Sequence, residues 1–161
     1  MKPIYQSLII PFLLLQGSLL AHCQVPCGIY NDAARIIQIQ EDFSTIQKAM
    51  TKIKELSQQQ DATSMNQLTR WIMTKEDHAS KIQKVVSEYF LTQRIKAKTE
   101  GSEFDTYVKQ TTTLHQILLS TMKCKQTIDN SNVDRGIKLV DTFIDYYFDK
   151  HGLEHLEILS E

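Results

Sequence analysis

Between Asn31 and Ser57 the residues Ile36, Ile39, Phe43, Ile46, Met50 and Ile53 follow one another at steps of three, four, three, four and three. That spacing lays all six on one stripe of an α-helix, whereas a strand, with its period of two, scatters them over both faces. Gln40, Gln47, Lys48, Lys54 and Glu55 occupy the other side, so the stripe has to be buried against neighbouring helices. Asn31 or Asp32 can cap this helix by accepting from free backbone N–H groups. The same period returns further on. Leu68, Ile72, Ala79, Ile82, Val86 and Tyr89 define a second helix from about Met65 to Phe90, with Trp71 and Val85 beside the stripe. Lys75 falls on it too, and its long stem is expected to carry the ammonium outward to solvent. A third helix spans about Glu103–Ile128 with Phe104, Val108, Leu114, Ile117, Leu118 and Met122 inward. The fourth places Val133, Ile137, Val140, Ile144 and Tyr147 on one face, with Ser131 and Asp134 spaced as a capping box and Gly152 at its end. The polar turns Ser57–Ser64 and Asp129–Asn132, and a basic connection from Leu91 to Ser102, separate them. The pattern predicts an all-α, antiparallel four-helix bundle over residues 31–152, followed by a polar tail, 153–161, that frays.

What precedes the bundle is different in kind. Lys2, an apolar run from Leu8 to Leu15 and the stretch Gln16–Ala21 have the order of a secretory signal, so residues 1–21 are expected to be cleaved and the protein exported, to a periplasm or the extracellular space. The run is too short and interrupted for a membrane anchor. Cleavage removes Lys2, the one charged residue of the leader, and moves the formal net charge from −1 to −2. So even a balance leaves no footprint for nucleic acid or an anionic membrane. Paired Glu-x-x-His motifs, Cys-x-x-Cys-His, G-x-S-x-G and the P-loop pattern are all absent, which removes di-iron, c-type haem, hydrolase and kinase chemistries.

Cleavage after Ala21 would make His22 the first residue of His22-Cys23-Gln24-Val25-Pro26-Cys27-Gly28-Ile29-Tyr30. One loop, residues 22–30, then offers a free α-amine, an imidazole and two thiols, and Pro26 and Gly28 favour a tight turn that can bring both sulfurs to one side. Thiolates with nitrogen donors suit a square-planar ion, Ni(II) or Cu(II). The competing use of Cys23 and Cys27 is a disulfide, which an oxidising compartment favours. Cys124, in a helical stretch, is expected to be a half-buried free thiol. His151 and His155 have a chelating spacing but read as a surface pair, and His115 as a core or interface histidine.

The nine residues closely resemble the N-terminal hook of the nickel superoxide dismutase family, H-C-x-x-P-C-G-x-Y, at every fixed position. The family also carries a four-helix bundle behind its hook. The resemblance implies that His22, Cys23 and Cys27 hold a nickel ion, with the His22 amine, the Cys23 backbone nitrogen and both thiolates in the plane and the His22 imidazole axial in the oxidised state. It implies a catalytic part for His22 and Tyr30, the tyrosine standing over the open face to position superoxide and exclude peroxide. The thiolates must stay ionised well below the ~8.5 of free cysteine, and the amine must lose a proton that it normally holds up to ~8. The family further implies a homohexamer. Gln24 stands where many members have Asp, and Glu41 or Asp42 with Arg70 or His78 are candidates to support the axial histidine. The expectation is therefore a nickel superoxide dismutase that converts superoxide to dioxygen and hydrogen peroxide by Ni(II)/Ni(III) cycling. Two rivals stay open: a non-catalytic nickel- or copper-binding exported bundle, and a secreted interaction module with a Cys23–Cys27 disulfide.

Overall fold

The computed structural model describes residues 30–160; the expected leader 1–21, the hook ligands His22, Cys23 and Cys27, and the alternative Cys23–Cys27 disulfide lie outside the described residues. Among the described residues every regular element is helical: α1 Asp32–Leu56, α2 Ala62–Lys84, α3 Phe104–Gln126, α4 Ser131–Tyr147 and α5 Lys150–Ser160. Asn31 caps α1 by accepting from the Ala34 N–H at 3.0 Å, and Asp61 caps α2 by accepting from the Ser64 N–H at 2.9 Å. α1 packs on α2 and α4, and α3 packs on α2 and α4, which closes the ring of a four-helix bundle. Its centre is the expected seam of α1, with Ile36, Ile39, Phe43, Ile46 and Met50 all at 1% exposure or less. Phe90 and Phe143 join them, the two rings meeting edge to face at 5.1 Å. Full burial of such a side chain is worth roughly 1.5–3 kcal/mol.

α2 does not stop at Phe90. It continues as a π-helical segment, Val85–Arg94, closed by the Ile95 N–H donating to the Phe90 carbonyl at 2.9 Å. Val85, Val86, Tyr89 and Phe90 are its buried residues, and the wider winding brings Tyr89 and Arg94, five apart, to one side. The connection placed at Leu91 thus begins four residues later. Tyr89, on the expected stripe, is 4% exposed and Phe90 0%, so both are core residues, whereas Tyr146 is exposed.

Several other expectations are corrected. Lys75 does not reach solvent: it is buried, and its ammonium donates to the carbonyls of Cys124 and Lys125 at the C-terminal end of α3 and to Glu76. The negative end of the α3 dipole is what attracts it. Ser131 and Asp134 form no capping box; the Asp129 carboxylate accepts from the Ser131 N–H and hydroxyl instead. Phe104, Val108 and Ile72, expected inward, are exposed. Gly152 lies inside α5 rather than ending α4, and residues 150–160 are helical rather than frayed. Leu156 packs against the core cluster, and α5 lies on α1. Cys124 is fully buried rather than half-buried.

Candidate metal centre

The chain enters the bundle at Tyr30, and what surrounds Tyr30 is built around one carboxylate. Asp32, in the first turn of α1, accepts from Arg94 Nε at 2.8 Å and Nη2 at 2.6 Å, from the Tyr89 hydroxyl at 2.6 Å and from the Tyr147 hydroxyl at 2.8 Å. The π segment is what delivers Tyr89 and Arg94 to this point, and the end of α4 delivers Tyr147. Burial pushes the Asp32 carboxyl up, but the Arg94 pair and the two hydroxyls outweigh it and hold the carboxyl below its usual range. The same burial and the nearby charge raise both phenols, so Tyr89 and Tyr147 remain protonated donors.

Arg94 in turn places its guanidinium 4.3 Å from the centre of the Tyr30 ring, and Tyr89 meets that ring edge to face at 5.8 Å. Both are favourable contacts, for a cation over a ring face and for crossed aromatics. Tyr30 is thus fixed in orientation although it is 39% exposed. It lines an open cleft of about 480 Å³ with Asp32, Arg94, Tyr147, Asp149, His151 and His155.

About ten residues along α1, roughly 15 Å at ~1.5 Å per residue, stands a second polar pair. His78 Nδ1 meets Asp42 Oδ1 at 2.6 Å, and Asp42 Oδ2 is buried without a partner. Burial raises the Asp42 carboxyl, with the His78 contact pulling the other way. Of the four candidates for supporting the axial histidine, the structure therefore brings Asp42 and His78 together. Glu41 is exposed on the rim of the same depression, and Arg70 is exposed and takes no part. His115 is exposed on α3, not in the core. Asp32, Arg94 and Tyr147 were missed by sequence reasoning.

Among the described residues no group of three or more His, Cys, Asp and Glu side chains could hold a metal ion. Cys124, the one thiol among them, is buried, and burial pushes it up to about 11. The described residues offer no thiolate set; ahead of Tyr30 the sequence carries two thiols and an imidazole, those of Cys23, Cys27 and His22. Those donors fit nickel.

The family model of the nickel-containing superoxide dismutases matches residues 18–151, a span that takes in the loop at 22–30 and all four bundle helices. The chain belongs to that family. No curated protein and no solved structure matches it. The enzyme is a superoxide dismutase, an oxidoreductase, and its cofactor is nickel.

Proposed function

We propose that the hook His22–Tyr30 is the catalytic centre and that dismutation proceeds there by Ni(II)/Ni(III) cycling. The observation that carries this reading is the position of Tyr30, the last hook residue, locked by Arg94 and Tyr89 on the rim of an open cleft. Nickel, when bound, supplies the one-electron couple that both halves of the reaction need. Cys23 and Cys27 act as thiolates that make the higher oxidation state accessible, and His22 gives its amine and its imidazole. The eight residues ahead of Tyr30 can span up to roughly 26 Å. That reach covers the distance to the Asp42–His78 pair, of which His78 is the partly exposed member and Asp42 the buried one. Tyr30 stands at the mouth and admits a small anion while turning away bulkier molecules. Arg94, paired with Asp32, holds the Tyr30 ring in that position.

Export after cleavage at Ala21 belongs to the same reading, because His22 has a free amine only in the processed chain. A homohexamer is proposed as well, since a short loop on one small bundle leaves its thiolates open to attack. The deciding experiment uses the intact native protein. Mass spectrometry is expected to find His22 as the N-terminus with one nickel bound, and Cys23→Ser or Cys27→Ser to lose both nickel and superoxide decay. Nickel retained by the serine variants would reject the hook, and a Cys23–Cys27 disulfide in an active protein would reject it too.

A further inference from the structure

The family match ends at residue 151, whereas α5 runs from Lys150 to Ser160. The helix is nonetheless firmly seated. The Gly152 N–H donates to Asp149 Oδ1 at 2.8 Å, Leu156 packs against the core cluster, and any Cβ at Gly152 would strike the Phe148 ring. That seating turns His151 and His155 into the cleft that Tyr30 also lines. Residues four apart on one helix face have their Cβ atoms about 6 Å apart, close enough for two imidazoles to share one cation. Imidazole pairs select nickel, copper and zinc over magnesium or calcium. The charge of Arg94 on the same cleft is met by Asp32, and Asp149 adds a carboxylate there.

We infer that His151 and His155 form a two-imidazole site for divalent nickel, from which the ion passes to the hook. The inference rests on the assignment of His22, Cys23 and Cys27 as the resident ligands. No third His, Cys, Asp or Glu among the described residues completes a set with the two imidazoles, so water fills the other positions. Such a site holds the ion weakly and releases it readily, as a transit site must. The hook, with two thiolates, holds it more tightly, so transfer runs toward Tyr30's own loop. His151 and His155 open on the cleft that Tyr30, the last hook residue, also lines.

Two measurements test this on the full processed chain. In a His22→Gln/Cys23→Ser/Cys27→Ser protein, equilibrium dialysis against Ni²⁺ alone should find one nickel per chain, lost when His151→Gln and His155→Gln are added. No binding before those two changes, or unaltered binding after them, overturns the site. In the protein with an intact hook, loading at limiting nickel is followed by the sulfur-to-nickel absorption. The His151→Gln/His155→Gln variant should load about tenfold more slowly, because local capture raises the effective nickel concentration, and should reach the same final amount. Equal loading rates overturn the transfer. If dialysis finds the helix site but the unaltered hook shows no sulfur-to-nickel band, the site stands and the transfer falls together with the hook assignment.

Discussion

Asp32→Asn keeps the size of the side chain and removes the charge on which Arg94, Tyr89 and Tyr147 converge. Because those donors are partly buried, leaving them without a carboxylate should cost about 2 kcal/mol at neutral pH. The pH dependence has a definite sign. The folded-state carboxyl of Asp32 lies below its unfolded value of ~3.9, so its contribution is complete above about pH 4 and is lost as the pH falls through the lowered value. Asp42 is raised and acts in the opposite sense, favouring the fold below about pH 4 and losing that contribution as the pH rises. Urea midpoints measured from pH 7 down to pH 2 should show a steep acid limb in the native protein and a shallower one in Asp32→Asn. Equal limbs would place the acid sensitivity on other carboxylates. From the sequence Asp32 was legible only as a possible helix cap, a part that Asn31 takes. Its true partners lie 57, 62 and 115 positions away, and no local pattern records contacts that distant. The proposed hook ligands rest on the opposite kind of signal, a chemistry packed into nine consecutive residues.

At the scale of elements, the close approach of α4 to α1 depends on Gly136. A Cβ there would run into the ring of Phe43, which is fully buried and has no room to retreat. Gly136→Ala should destabilise the bundle by about 1–3 kcal/mol through overpacking, despite the better helix propensity of alanine. Chemical denaturation should show a lower midpoint with an unchanged slope, and an unaltered midpoint would mean that the two helices slide apart at no cost. The four bundle helices were readable because a 3.6-residue apolar period survives in each. The π segment was not, because its buried residues fit an ordinary α-helical face equally well, and the polar Thr92, Gln93 and Arg94 that follow read as the start of a loop. α5 was obscured by Gly152 and by the acidic residues around it, and only its contact with α1 explains why it is ordered.

For the whole molecule, assembly and processing are the properties to measure. The first half of α2 leaves Met65, Ile72 and Met73 at 42% exposure or more, with Trp71 beside them, and Tyr146 adds an exposed ring on α4. Contiguous apolar surface of this kind marks a contact with another chain. Light scattering of the nickel-loaded protein should give a mass near six subunits, and Met73→Glu should lower it; a stable, active monomer would sink the proposal. A chain that retains Ala21 before His22 should fold to the same helical content by circular dichroism and lose most of its activity, since its first hook nitrogen is then an amide. Full activity there would remove the amine from the ligand set. One consequence follows from the depth of Cys124. A dismutase lives in its own hydrogen peroxide, and every thiolate within reach of that product is at risk. Cys124 is 0% exposed and titrates near 11, so at neutral pH it is neither reachable nor nucleophilic. The bundle therefore keeps a sulfur in its core that outlasts its own catalysis.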